Sequence, residues 1–194
     1  MSSGLQCLRA LLEEQGGLLA SLLADDDAAD TSADVDADGA VGGSPGSAGA
    51  GPAKLAATGP RAAGRSAEYE LLLEAIYEGY LLHYGDPRLL RPPEADLGLL
   101  AGDQLYALGL TRLVALGDLL AVSELADVIT LTALAHGAGR ADLAQAIWSA
   151  GARAVGWGSS GPHRDAKALA RAGESGALEA MCAAAEPPAQ PDRS

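Results

Sequence analysis

One leucine-rich stretch, Glu68–Gly137, constrains the fold of this chain more than any other part of the sequence. It contains no low-complexity sequence, and its apolar residues recur at helical spacing. The chain has no Phe and only 4% aromatic residues, so a core must be built from Leu, Ala, Val and Ile. Because Ala and Leu are strong helix formers and strand-forming residues are scarce, the sequence predicts an all-α fold.

Helix start and stop signals divide the chain into a single bundle of about five to seven helices. Ser66 is a candidate N-cap, and Gly85-Asp86-Pro87 should end the helix that follows, because the residue before Pro is pushed out of helical geometry. Further helices are expected over about 94–116, 119–136, 141–155, 162–173 and 175–185.

Changes in composition mark the predicted domain boundaries. Residues 1–24 carry a leucine stripe that predicts an N-terminal amphipathic helix. Residues 25–65 are rich in Asp, Gly, Ala, Ser and Pro, and they predict a disordered acidic linker because they cannot bury enough surface to offset the entropy of ordering. Residues 66–186 are predicted to form the helical domain, and residues 187–194 a disordered tail.

The formal net charge of −13 is concentrated near the N-terminus, where residues 1–40 carry nine acidic residues against Arg9 alone. The rest of the chain is mildly acidic, which argues against nucleic acid as a partner. No uncharged stretch approaches the roughly 18 residues of a transmembrane segment. Cys7 and Cys182 lie near opposite ends, so we expect two free thiols in a cytoplasmic protein.

Two short motifs match known ligand loops without their usual context. Asp34, Asp36 and Asp38, followed by glycine, match the start of an EF-hand calcium loop, but Pro45 stands where the bidentate Glu belongs. Gly156–Gly161 matches the G-x-G-x-x-G turn of dinucleotide-binding folds, but a helix instead of a strand is predicted before it. We interpret the first as a weak alternative metal site and the second as a connection between helices.

Three pieces of the segment Glu74–Asp127 resemble trans-polyprenyl diphosphate synthases, an all-helical family. EAIYEGYLLHYGD, residues 74–86, is similar to the helix that ends in the family's LIHDD signature, with His83 at the family's His. LLAGDQLYALGL, residues 99–110, resembles the next helix, whose Gly-Asp pair corresponds to Gly102 and Asp103. LGDLLAVSELADVI, residues 116–129, resembles the following turn and helix. The resemblance implies an isoprenoid-synthase-like core.

The resemblance also implies a set of ligand-binding candidates, which are His83, Asp86, Arg88, Arg91 and Asp103. The family's DDxxD motif, which holds magnesium on the substrate diphosphate, is missing after His83, where only Asp86 remains. No second aspartate-rich motif follows. No catalytic residue is therefore assigned, no cofactor is expected, and Mg²⁺ would bind only if recognition of a prenyl diphosphate is retained.

These features favour a non-catalytic, isoprenoid-synthase-like protein that binds a protein partner. The expected partner is the catalytic chain of a polyprenyl diphosphate synthase, which this chain would serve as an accessory subunit, or a second copy of itself. Two alternatives stay open: a helical interaction module with no ligand, and a prenyl diphosphate-binding protein or Mg²⁺-dependent prenyltransferase. Asp103 bears on the choice, because a carboxylate in an apolar helix must be paired, hydrogen-bonded or exposed at a cavity or rim.

A calorimetric titration with Ca²⁺ tests the interpretation of the Asp34–Asp38 motif. We expect no micromolar affinity, because the loop lacks the bidentate carboxylate and no helix follows it directly. Micromolar binding that is lost in the Asp36→Ala variant would contradict this interpretation.

Overall fold

The computed structural model describes residues 3–24 and 51–187, and within these ranges the chain is helical. The only β-type pairing there is an isolated antiparallel bridge between Leu23 and Leu90. The predicted all-α fold is confirmed. The nine α-helices of the described ranges are α1 Gly4–Gln15, α2 Gly17–Ser21, α3 Pro52–Ala57, α4 Ser66–Tyr84, α5 Ala95–Ala115, α6 Leu119–Gly137, α7 Ala141–Trp157, α8 Gly161–Ala172 and α9 Ala177–Ala185.

The predicted boundaries of α4 to α9 agree with the structure within two residues. The N-terminal helix differs, because it is broken into α1 and α2 at Gly16 and Gly17, whose φ angles are 67° and 74°. This left-handed backbone is available to glycine without the steric cost that other residues incur. α1 nevertheless packs on the bundle, since Leu8 and Leu12 are fully buried beside Leu90 and Leu105.

The predicted linker is wrong for residues 51–65, which belong to the bundle. α3 and a 3-10 turn at Pro60–Ala62 are ordered there, and Ala53, Ala56 and Ala62 are buried. The physical reason is that small residues allow close approach: a Cβ on Gly59 would lie 2.2 Å from the Gly156 carbonyl oxygen of α7. The remainder of the predicted linker, with Asp34, Asp36 and Asp38, lies outside the described residues, as does the tail from residue 188.

α4 and α5 form the central contact of the bundle, and glycines permit it. A Cβ on Gly79 of α4 would lie 2.9 Å from the Gly102 carbonyl oxygen of α5. A Cβ on Gly102 would in turn lie 3.0 Å from the Gly79 carbonyl oxygen, and one on Gly109 would lie 3.1 Å from that of Leu72. All three distances are shorter than ordinary van der Waals contacts, so the two backbones touch along several turns.

The main core lies where α4 meets α3, α6 and α7. Fully buried side chains there include Tyr69, Leu73 and Ile76 of α4, Leu125 of α6 and Ile147 of α7. Apolar burial of this kind stabilises a fold by roughly 1.5–3 kcal/mol for each large side chain. The last two helices, α8 and α9, also contribute buried residues to this core.

α6 is the one helix of the described ranges whose length and hydropathy would also suit a membrane span, with a mean hydropathy of 1.5 over its apolar window. Of that window, 39% is buried inside the bundle. Glu124 and Asp127 lie within the helix and pair with Lys167 and Arg171 of α8. These ion pairs favour α6 as a packed helix of the bundle, because charges at the centre of a bilayer are costly.

The α4–α5 contact predicts that Gly79→Ala destabilises the protein. The added Cβ would meet backbone, so the helices must separate, and we expect a loss of about 1–3 kcal/mol in the free energy of unfolding. Urea denaturation measures this loss.

Gly137→Ala is the matched control, because no atom lies within 4 Å of the added Cβ and the residue is also helical. Helix propensity then favours Ala, so the control should be neutral or up to about 1 kcal/mol more stable. Equal stabilities of the two variants would contradict the close contact.

Candidate functional site

The structure brings two of the five ligand-binding candidates together. His83 Nε2, on α4, lies 3.2 Å from Asp103 Oδ1 of α5, although the alignment is not that of a hydrogen bond. The His83 ring stacks on Tyr106, with centroids 5.3 Å apart. The Asp103 side chain is 70% exposed, so this carboxylate lies at the surface, at the rim of the α4–α5 contact.

The other three candidates lie in the connection between α4 and α5, where the arginines hold the chain in place. Arg88 donates to Glu78 Oε2 at 3.2 Å and to Glu74 Oε2 at 2.6 Å. Arg91 donates to the carbonyl oxygens of Pro87 and Leu90. Asp86 is exposed. The arginines are therefore occupied by internal partners.

Glu78 is the residue that organises this connection, and the sequence did not single it out. Its side chain is fully buried, and Oε1 accepts hydrogen bonds from the Leu89 amide at 2.6 Å and the Leu90 amide at 3.4 Å. A buried carboxylate needs such donors together with a counter-charge, which Arg88 supplies. Glu78 directly precedes Gly79 in α4. This position in the helical apolar pattern is the only sequence signal for its burial.

An aromatic cluster joins α4 to its neighbours beside His83. The Tyr84 ring stacks on His136 of α6 at 4.4 Å, and the Tyr80 hydroxyl lies 2.9 Å from His136 Nε2. Tyr77 and Tyr80 both contact the buried Trp148 of α7. Burial raises the pKa of the Tyr80 hydroxyl, so it stays protonated and suits a hydrogen bond to the imidazole.

A second polar cluster, which we call the α6–α8 network, joins α6 to α8. Glu124 of α6 is 6% exposed; its Oε1 lies 2.6 Å from His163 Nε2 and its Oε2 accepts from Lys167 Nζ at 2.8 Å. Lys167 also donates to Asp127, and Arg171 donates to the other oxygen of Asp127, each at 2.8 Å.

Charge pairing sets the ionisation of this network. Burial raises the pKa of the Glu124 carboxyl, but the hydrogen bonds from His163 and Lys167 outweigh burial and hold the pKa below its ordinary value. Burial lowers the pKa of Lys167, but its hydrogen bonds to Asp127 and Glu124 outweigh that effect and raise the pKa. At neutral pH both groups are charged, and each stabilises the other.

Two concave surfaces flank the α6–α8 network. A cavity of about 410 Å³ lies between α7, α8 and α9 and is lined by His163, Arg153 and Trp157 with several alanines. A cleft of about 480 Å³ lies on the α6 side and is lined by Arg61, Arg164, Lys167 and Glu124, with Leu120 at its edge. Within the described ranges, no group of three or more His, Cys, Asp or Glu side chains could hold a metal ion.

Asp118, at the α5–α6 turn, pairs with Arg61, which lines the cleft. It caps α6 by accepting from the Ala121 amide, and it also accepts from Arg61 at 2.8 and 3.0 Å and from the Tyr69 hydroxyl at 2.6 Å. Burial raises the pKa of Asp118, but these hydrogen bonds outweigh burial and lower it below the ordinary value. Its two side-chain partners, Arg61 and Tyr69, are distant in sequence.

Sequence reasoning missed the α6–α8 network because its members come from different helices. Glu124 and His163 are 39 residues apart, and no motif links them. The only local sequence signal near the network was Gly156–Gly161, which covers the end of α7 and the start of α8. Within it, Ser160 caps α8 by accepting a hydrogen bond from the His163 amide. No strand precedes it, so the interpretation as a connection between helices is confirmed.

Comparisons with protein-family models, with curated proteins and with solved structures find no match to this chain.

Replacing Glu124 should lower the stability of the protein by an amount that depends on pH. Glu124→Gln removes one partner of a buried ion pair, so we expect a loss of about 3 kcal/mol in the free energy of unfolding at pH 7. Because the pKa of the folded state is depressed, the contribution is fully present above the ordinary value of 4.5 and is lost as the pH falls through the folded pKa. The difference between variant and wild type should therefore shrink below about pH 4.5.

Glu179→Gln on α9 is the matched control, since Glu179 is exposed. Its stability should follow that of the wild type at every pH. A Glu124→Gln difference that stays constant from pH 7 to pH 3 would contradict a depressed pKa.

Proposed function

We propose that this chain is a non-catalytic helical protein that acts as an accessory subunit by binding the catalytic chain of a polyprenyl diphosphate synthase. The main support for this proposal is an exposed apolar surface at the turn between α5 and α6, which we call the α5–α6 corner. It is formed by Val114, Leu119 and Leu120, which are 51%, 64% and 69% exposed.

The α5–α6 corner has the features of a docking surface. Its three large apolar side chains lie within seven residues of chain, before and after the turn at Gly117. Single exposed leucines are common on soluble proteins, but a group of them marks an interaction site. The turn is held rigidly by Asp118, so the surface is ordered before a partner binds, which lowers the entropic cost of association.

The basic side chains next to the α5–α6 corner indicate what kind of partner surface would bind there. Leu120 also lines the cleft that holds Arg61, Arg164 and Lys167. Arg164 donates to the neutral carbonyl oxygen of Ser159, so its charge is available to an anionic group. The surface therefore suits an amphipathic helix that carries an apolar stripe and adjacent carboxylates.

The choice of a synthase as partner rests on the resemblance of Glu74–Asp127 to that family. A non-catalytic role is supported by the position of Asp103, which is exposed, and by Arg88, which is paired with Glu78 and Glu74. The alternative of a helical module from another lineage uses the same surface with a different partner. The alternative of a prenyltransferase would require magnesium-dependent turnover by this chain alone.

A binding measurement with a purified catalytic synthase chain tests the proposal. We expect a saturable complex by calorimetry, and the Leu119→Glu/Leu120→Glu variant should weaken it at least about tenfold, because two charges would be placed in an apolar contact. Prenyl transfer by the mixture should increase or change in product length, whereas this chain alone should give no turnover.

Leu134→Glu provides the matched control. Leu134 is 49% exposed on the same helix, but it lies 15 residues from Leu119, which is about 22 Å along the axis. This variant should bind as the wild type does. No complex, or an equal loss in both variants, would contradict the proposed surface, and turnover by this chain alone would contradict the non-catalytic role.

A further inference from the structure

The cavity between α7, α8 and α9 is lined by two opposite charges that have no counter-charge among the described residues. They are Arg153 of α7 and Glu186, which follows the last turn of α9. No carboxylate of the described ranges lies within ion-pair distance of Arg153, and no basic group of these ranges lies within that distance of Glu186. A charged side chain that lines a cavity in this way is available to an opposite charge on a ligand.

The Arg153 guanidinium is held in place by an aromatic ring and not by an acceptor. It is half-buried and lies 4.9 Å from the centroid of the Trp157 ring, which lines the same cavity. Within the part of the chain that the structure describes, its N–H groups donate to no oxygen. A planar guanidinium in this position suits a carboxylate, which can accept two parallel hydrogen bonds from it.

Two helix ends of opposite polarity also meet at this cavity. α8 begins there, with Ser160 as its N-cap, and α9 ends there, with Glu186 as its C-cap. The N-terminus of a helix favours an anion, as Arg153 does, and the C-terminus favours a cation, as Glu186 does. The cavity therefore offers one environment for a negative group and another for a positive group.

The remaining walls are apolar. Ala150, Ala154 and Ala184 line the cavity together with Trp157, and its volume is about 410 Å³, which is in the range of small-molecule sites. Small side chains leave room for an aliphatic group beside the Trp157 ring. We propose that the cavity binds a free amino acid with an aliphatic side chain, whose carboxylate pairs with Arg153 and whose ammonium group pairs with Glu186.

Three probes separate the two charges of such a ligand. They are L-leucine, N-acetyl-L-leucine, which lacks the ammonium group, and L-leucinamide, which lacks the carboxylate. Titration of the full ¹⁵N-labelled chain, followed by the indole N–H resonance of Trp157, should show saturable binding of L-leucine in the millimolar range or tighter. L-leucinamide should bind about 10-fold more weakly, because it loses the charge-assisted pair with Arg153. N-acetyl-L-leucine should bind about threefold more weakly, since the exposed Glu186 is screened by solvent.

Two variants assign each charge of the ligand to its side chain. Arg153→Gln should weaken L-leucine about 10-fold without weakening L-leucinamide, which has no carboxylate to lose. Glu186→Gln should weaken L-leucine about threefold without weakening N-acetyl-L-leucine. Glu179→Gln is the matched control, because Glu179 is an exposed residue of α9 that does not line the cavity, and it should bind L-leucine as the wild type does.

Ala184→Leu tests the location of the site, because the larger side chain would fill part of the cavity and should abolish the shift caused by L-leucine. Absence of L-leucine binding, or binding that survives Ala184→Leu, would overturn the site. Equal affinities for the three probes, or variants that weaken all three alike, would overturn the recognition of a zwitterion. None of these outcomes depends on the α5–α6 corner, so they leave the proposed partner surface unaffected.

Discussion

The contact of α4 with α5 through Gly79, Gly102 and Gly109 is the constraint on which the rest of the structure depends. Because no side chain separates the two backbones there, the helices are fixed in register. This register places His83 beside Asp103 and Tyr106, and it directs the other faces of α4 toward α1, α3 and the aromatic cluster. Gly102, which is part of the family resemblance, therefore has a packing role, whereas Asp103 lies at the surface.

Buried or half-buried carboxylates hold the connections between helices in place. Glu78 orders the chain between α4 and α5, Asp118 orders the turn between α5 and α6, and Glu124 ties α6 to α8. Each one is neutralised by an arginine or lysine and hydrogen-bonded by further donors. Removing a single partner would leave a buried charge, so these sites specify the arrangement of helices more than they add to net stability.

The sequence predicted α4 to α9 well because helical periodicity and Gly or Pro stops are local signals. It failed at α3, because a segment rich in Ala and Gly resembles a linker in composition, although small residues are what allow α3 to touch α7 at Gly156. It singled out His83 and Asp103 but not Glu124 and His163, whose 2.6 Å contact depends on how α6 and α8 pack. Contacts between helices far apart in sequence leave no motif in one sequence.

We propose that the chain binds a catalytic partner through the α5–α6 corner, which Asp118 orders and which borders the cleft lined by Arg164. Hydrogen exchange measured by mass spectrometry, with and without a purified catalytic polyprenyl diphosphate synthase chain, tests it most directly. We expect added protection in peptides that cover residues 112–122 and no change in those that cover the end of α6 near Leu134. Protection confined to other helices, or no protection at any peptide, would contradict it.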